Sequence, residues 1–285
     1  MNERGMNRHL AEIHLAVLLF GLASLFGKWV ALPPAIIVLG RVAFAVPALV
    51  GVLRWSGQRI RLNRRQDYLY LGLLGGLLAF HWVTFFESVQ VSTVAVCLVA
   101  YSTFPFFTVF LEPLFFRERL SRRGLALAII ALVGVVLVIP EWKLGNNTTL
   151  GVFWGVLSGI SFALLSVLNR KYVRTYSSLQ VAFYQDLVAF LLLLPFWFIL
   201  QPTPSTSDWG LLVLLGILFT AFSHTLFING LKEVPARTAS IIATLEPVYG
   251  VAAAAILLGE IPGMRVLAGG LLIVGAMAYA SWRPH

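Results

Sequence analysis

The chain reads as an all-α membrane protein: ten transmembrane helices in a 5+5 inverted-topology repeat, with both termini cytoplasmic. Three observations predict this. Ten mostly apolar runs fill nearly all of the 285 residues, which are 59% hydrophobic with a mean hydropathy of +0.87. A soluble core cannot absorb that much apolar surface, whereas about 20 such residues cross a bilayer at 1.5 Å rise per residue. Basic residues crowd into every second gap between the runs, and the second half of the chain repeats the hydropathy of the first.

The runs fall at 10–30, 33–53, 67–88, 92–116, 124–140, 149–169, 178–200, 208–231, 236–258 and 264–282. The first follows Arg4 and Arg8 and imitates a signal peptide, but its apolar stretch is too long and cleavage would leave an odd number of spans. The second carries Arg41. The third has Gly72, Gly75 and Gly76 and then His81, Trp82 and Phe85. Tyr101, Phe104, Pro105 and Glu112 mark the fourth, while the fifth is uniformly apolar. In the sixth, Gly151, Gly155, Gly159 and Ala163 recur every four residues, a small-residue ridge that lets another backbone come close. Tyr184, Gln185 and Asp186 lie in the seventh, His224 in the eighth, Glu246 and Pro247 in the ninth, and Gly269 and Gly270 in the tenth. Trp29, Trp55, Trp142, Trp209 and Trp282 sit near run ends as interfacial anchors.

Charge sets the orientation. After the N-terminal tail, Arg54, Arg59, Arg61, Arg64 and Arg65 occupy one gap, Arg117, Arg119, Arg122 and Arg123 another, and Arg170, Lys171 and Arg174 a third. Lys232, Arg237 and Arg283 continue the series, and the opposite gaps hold only Lys143 and Arg265. Basic residues in short loops resist translocation, so the rich side is cytoplasmic. The net charge of +9 and the pI near 10.1 are this loop bias. The basic residues are dispersed, with no patch to track a phosphate backbone, so nucleic acid is no partner. Cys97, the single cysteine, falls within the fourth run, which excludes an intrachain disulfide.

Sliding the chain by 142 residues lays 79–119 on 221–261 without a gap: Phe85 meets Phe227, Pro105 meets Pro247, and Glu118 meets Glu260. An offset near 143 lays Lys28-Trp29-Val30 on Lys171-Tyr172-Val173. The halves divide as 1–142 and 143–285. An odd number of spans per half makes the second cross in the opposite sense, a common build for secondary transporters with a midplane site between the halves. The competing reading is an old duplication in a scaffold, a sensor or an embedded enzyme.

These features resemble the drug/metabolite transporter superfamily, and within it the EamA-type exporters. The likeness covers essentially the whole chain and rests on YSTFPFFTVFLEPLFFRERLS (101–121), ATLEPVYGVAAAAILLGEIPG (243–263) and Arg41, which matches an arginine common at that place in the family. Within the group the nearest likeness is to aromatic amino acid exporters, through Tyr101 four residues before Pro105. The chain departs from the family where Leu127 stands in place of a frequent glycine, and where Gln185-Asp186 gives Arg41 no basic counterpart in span seven.

A charge at the bilayer centre costs about 2.5–3.5 kcal/mol on insertion scales, so such groups face a cavity or a partner. Lys28 is close enough to a span end to snorkel, and Glu112 to pair with loop arginines. His81, His224 and Glu246 are candidate substrate-binding residues, with Trp82, Phe85, Tyr101, Phe104 and Tyr184 as aromatic walls. Rings would stack on an apolar side chain while histidine and glutamate address the amino and carboxylate ends; histidines that only tie helices together are the plainer alternative. Pro105 and Pro247 mark a helix kink or hinge that shapes the cavity, or an inherited bend. Arg41 and Asp186 pair with each other or touch substrate.

No H-E-x-x-H, G-x-S-x-G or phosphate-cradling loop is present, so neither enzyme nor ATPase is expected. Histidines and acids are too scattered for a metal site, and no cofactor is expected. The sequence therefore reads as an inner (plasma) membrane exporter of small amphiphilic metabolites, chiefly amino acids including aromatic ones. Alternating access through a central cavity is expected, a monomer suffices, and transport is either facilitated or proton-coupled. A multidrug or cationic-compound exporter and a non-transporting scaffold or sensor are the rival readings.

Overall fold

The computed structural model describes residues 3–116, 122–139 and 145–282. Arg117, Glu118, Arg119, Trp142, Lys143 and Arg283, named above, lie outside them. Every regular element among the described residues is helical: α1 Glu3–Ala23, α2 Phe26–Trp29, α3 Pro34–Trp55, α4 Arg65–Val91, α5 Val94–Tyr101, α6 Phe104–Phe116 and α7 Arg122–Val138. After these come α8 Asn147–Tyr172, α9 Ser178–Leu200, α10 Thr206–Gly216, a π-helical segment Ile217–Phe222, α11 Ser223–Gly230, α12 Ala236–Ala243, α13 Glu246–Leu257 and α14 Met264–Trp282. Eight of the expected runs are helices long and apolar enough to cross a membrane; Met264–Ala276 is a shorter apolar helix, and α7 has 17 residues.

The helix starts follow local chemistry. Thr93 caps α5 by accepting the Val96 N–H, and Asn146 caps α8 by accepting from Thr148 and Thr149. Ser177 with Gln180, and Ser205 with Asp208, close reciprocal capping boxes on α9 and α10. At the end of α13, Gly259 takes φ 68°, a conformation that favours glycine, and turns the chain so that Glu260 reaches back to the start of α5.

Packing is governed by shape, because lipid is as apolar as the helix surfaces it competes with. α4 lies most extensively against α8, α14 against α7, and α3 against α9. The glycine ridge of α8 makes close approach possible: a Cβ at Gly155 would stand 2.7 Å from Ala100 Cβ, and one at Gly159 2.8 Å from the Tyr101 carbonyl. Gly75 and Gly269 sit equally tightly, against α9 and α7. Gly72 does not, since nothing lies within 4 Å of its missing side chain and it belongs to the outer face of α4. Large apolar residues such as Leu114, Ile256 and Leu271 cover the outside, as lipid requires, and Trp55 is 92% exposed at the end of α3.

Gly155→Leu is therefore expected to destabilise the protein by about 1–3 kcal/mol, the cost of overpacking, and Gly72→Leu to leave it unchanged. Thermal unfolding in detergent measures both, and equal midpoints for the two variants would refute the ridge.

Candidate functional site

The fourth and ninth apolar runs are both interrupted halfway. α5 ends at Tyr101, Ser102 and Thr103 form a turn, and α6 resumes at Phe104; α12 ends at Ala243 and α13 resumes at Glu246. Pro105 and Pro247 are the second residues of the resumed helices, where a missing N–H leaves no bond broken. The expected kink around each proline is thus a break just ahead of it. Hydroxyls serve the carbonyls there: Ser102 donates to Leu98 O at 2.7 Å, Thr103 to Ala100 O at 2.8 Å and Thr244 to Ile241 O at 2.6 Å. Tyr101 and Glu246 stand at the two breaks.

Both breaks border one cavity, formed by α1, α3, α4, α5, α8, α11 and α13. The centres of water molecules can reach about 40 Å³ of it, room for about three waters at ~10–15 Å³ each. Rings fill most of the rest. Phe162 of α8 packs on His81 at 5.2 Å, Tyr101 at 5.4 Å and Phe227 at 5.5 Å between centroids. Phe85 meets the Tyr101 ring edge-on at 5.6 Å. His81 Nδ1 lies 3.0 Å from the Ser158 carbonyl and 2.9 Å from the Ser158 hydroxyl; the carbonyl can only accept, so this nitrogen carries a hydrogen.

The charged groups divide between two corners. At the α5/α13 corner the Tyr101 phenol is close enough to interact with the Glu246 carboxylate, whose Oε2 is buried without a hydrogen-bond partner. At the α3/α4 corner the Arg41 guanidinium lies 3.8 Å over the Trp82 ring. Arg41 Nε donates to Thr220 Oγ1 at 2.8 Å and Nη2 to Phe219 O at 3.2 Å.

Of the residues singled out in the sequence, His81, Trp82, Phe85, Tyr101, His224 and Glu246 line this cavity, and Arg41 joins them. Phe104 stands one layer behind, stacked on Tyr101 at 4.9 Å. Tyr184 is elsewhere: it lies in the first turns of α9, its hydroxyl donating to Ile60 O at 3.0 Å and its ring edge-on to Tyr68 at 5.4 Å. Arg41 and Asp186 do not form a pair. Arg41 is drawn to the π segment and Trp82, while Asp186 has His224 Nδ1 at 3.7 Å and both its oxygens lack a hydrogen-bond donor. Sequence reasoning missed Phe162, Phe227, Ser166 and Asn169 as wall residues. Ser166 and Asn169, three apart in an apolar run, were the available signal.

Polar contacts tie the ends of the bundle. At the end away from the arginine-rich loops, Lys28 Nζ donates to Ser92 O at 2.8 Å and stands 3.9 Å from Glu260, whose carboxylate accepts the Val94 N–H at 2.9 Å. Gln90 donates to Leu32 O at 2.8 Å, and Ala31 N–H to Asp208 at 3.2 Å. At the basic end Arg170 pairs with Glu112 at 2.6 Å, the loop-side partner expected for that acid. Among the described residues no cluster of histidine, cysteine or acids is arranged to hold a metal ion.

Apolar helices around a buried cavity that holds both an acid and a guanidinium suit a polytopic membrane transporter. The sequence profile of the EamA-like transporter family matches the chain twice, over residues 11–139 and 149–282, and the chain belongs to that family. It is a transporter rather than an enzyme and, like its bacterial relatives, a multi-pass protein of the inner membrane. It is 25% identical to an uncharacterized transporter, YxxF, of Bacillus subtilis over 93% of this chain and 86% of that one. It is 27% identical to an S-adenosylmethionine uptake transporter of Rickettsia conorii over 72% and 69%, and 24% identical to the pseudopaline exporter CntI of Pseudomonas aeruginosa over 86% and 85%. A crystal structure 19% identical in sequence superposes over 96% of both chains with a TM-score of 0.72, a likeness of fold alone.

Glu260→Ala should open the Lys28–Ser92–Val94 end. In a Cys97→Ser background, a cysteine placed by Ser92→Cys should react several-fold faster with a membrane-impermeant maleimide when Glu260 is truncated. An unchanged rate would mean that helix packing alone holds that end.

Proposed function

We propose that the protein is a secondary exporter of small amphiphilic metabolites, foremost amino acids including aromatic ones, working by alternating access through the central cavity. One observation carries the reading: a single buried cavity combines Glu246 at one corner, Arg41 at another and aromatic rings between them. A zwitterion with an apolar side chain matches all three. An organic cation would find Glu246 too, but it would enter a cavity that already holds a buried guanidinium. The cavity is complete within one chain, so a monomer suffices.

Ten spans in a 5+5 inverted repeat, divided near residues 142 and 143 with both termini cytoplasmic, is the architecture we propose for this cycle. The double match of the family profile supports it. So do the helix contacts. Exchanging the halves turns the α4–α8 pair into α11–α1, α5–α8 into α12–α1, and α6–α8 into α13–α1, all of which pack in the structure. The same exchange returns α3–α9 and α7–α14 to themselves. In this scheme the halves rock about the site, and substrate shifts the balance only by binding one arrangement better than the other. The breaks before Pro105 and Pro247 are its hinges.

The substrate named for one relative fits this chemistry in part, since S-adenosylmethionine carries an amino-acid group beside an aromatic base, although that relative is named for uptake and another for export. Purified protein in liposomes should move Phe, and Thr more slowly, above empty liposomes, with little competition from a lipophilic cation. Glu246→Ala and His81→Ala should each lower Phe flux about 10–100-fold, the loss of a charge-assisted contact. Competition by the cation but not by amino acids would replace this reading with a cation exporter, and normal flux in both folded variants would remove these residues from the site.

A further inference from the structure

We propose that Arg41, presented by the π-helical segment, is a carboxylate-binding subsite that makes a free carboxylate on the ligand a condition of tight binding. The inference deepens the amino-acid reading above and names the part of the ligand that one side chain recognises.

Arg41 is 3% exposed, yet among the described residues no carboxylate stands within ion-pair distance of it; Asp186 acts on it only through space, from beyond contact. A guanidinium buried without a counter-ion is costly, and burial of this kind persists where a partner arrives from outside the chain. The protein supplies only neutral support. Trp82 offers its ring face at 3.8 Å, Phe86 lies beyond at 5.7 Å, and Thr220 Oγ1 and Phe219 O accept one hydrogen bond each. A guanidinium has five N–H donors, so these two bonds leave three N–H groups on a residue that forms part of the cavity wall. A planar pair of such donors matches the two oxygens of a carboxylate.

The support is built for this task. Within Ile217–Phe222 the helix widens by one residue, and Thr220 donates to Leu215 O, five residues back, at 2.7 Å while accepting from Arg41. The Phe219 carbonyl of the same segment accepts from Arg41 Nη2 at 3.2 Å, within a widened turn of the kind often found at functional sites. Gly216, just before the segment, lets the two backbones touch: a Cβ there would meet the Arg41 carbonyl at 2.6 Å. Arg41 is thereby fixed by one face and two donors, with the remainder free for a ligand.

The test separates this subsite from the transport reading by using binding as well as flux. 3-Phenylpropionate and 3-phenylpropionamide have one shape and differ in the carboxylate. Thermal stabilisation of the purified protein should be clear with the acid and at least about 10-fold weaker in concentration dependence with the amide. Arg41→Gln should abolish the difference, and Arg41→Lys should retain part of it, because charge remains while the planar donor pair is lost. Thr220→Val, which leaves the charge and removes its anchor, should weaken the acid alone. In liposomes, L-Phe should outcompete L-phenylalaninamide for wild type but not for Arg41→Gln. Equal stabilisation by acid and amide, none by either, or an acid preference that survives in folded Arg41→Gln would overturn the proposal. Absence of Phe flux with the acid preference intact would instead sink the amino-acid transport reading and leave the subsite standing.

Discussion

Hydrocarbon offers no hydrogen bonds, and that constraint orders this structure more than any single contact. Each polar group sunk at mid-membrane has to be answered from within the protein, and most are. Ser88 donates to Gly151 O at 2.6 Å, Gln185 to Asn169 at less than an ordinary separation, and the turn hydroxyls of Ser102, Thr103 and Thr244 return to carbonyls of their own helices. Against that background the unanswered groups stand out. Among the described residues Glu246 Oε2, both oxygens of Asp186 and His224 Nδ1 lack hydrogen-bond partners, and no carboxylate contacts Arg41. Glu246, His224 and Arg41 all border one cavity, with Asp186 against His224 just behind. A scaffold would have no reason to gather its electrostatic cost at one place.

The interruptions in the helices follow from the same constraint. A continuous helix satisfies its own backbone and therefore presents only side chains to a ligand. Breaking spans four and nine just before Pro105 and Pro247 brings the ends of four half-helices to the cavity level. It does so where threonine hydroxyls can take over the freed carbonyls. The π segment Ile217–Phe222 does a related thing by widening rather than breaking, and its Phe219 carbonyl and Thr220 hydroxyl accept from Arg41. Three local departures from α geometry thus converge on one site, and each uses a residue type suited to it: proline after the break, threonine within it, glycine before the bulge.

How much of this was legible in the sequence depended on cost. His81, His224, Glu246 and Arg41 announced themselves because charge and imidazole are expensive in apolar runs, and all four reached the cavity. Aromatic rings carry no such cost, so choosing among 21 Phe was blind: Phe162, central to the ring cluster, gave no signal. Tyr184 was misplaced for the same reason, its hydroxyl being equally at home on a loop carbonyl. Arg41 and Asp186, expected either to pair or to touch substrate, are not in contact and interact only through space, because complementary charge at similar depth says nothing about which helix faces meet. The π segment was invisible, since ILFTAF differs in no periodicity from an ordinary helix. Glycine was ambiguous as well: Gly155 and Gly72 look alike in sequence, and only the neighbour separates them.

The smallness of the cavity completes the physical picture. A space for about three waters cannot take a ring and its charged ends, so binding in this arrangement requires the wall to yield. The wall most able to yield is Phe162 with the phenylalanine rings beside it, whose side chains are held by dispersion alone, whereas His81 is pinned to Ser158, Tyr101 reaches Glu246 and Arg41 is bonded to the π segment. An arriving aromatic side chain could replace ring contacts with similar ring contacts, while the polar groups stay where they are. Such an exchange leaves the apolar free energy nearly level and assigns the net gain to the two charged corners. In the proposed cycle it is through those corners, Arg41 and Glu246, that a ligand would favour one arrangement of the bundle over another, because a ligand shifts a conformational balance only through the contacts that differ between the states.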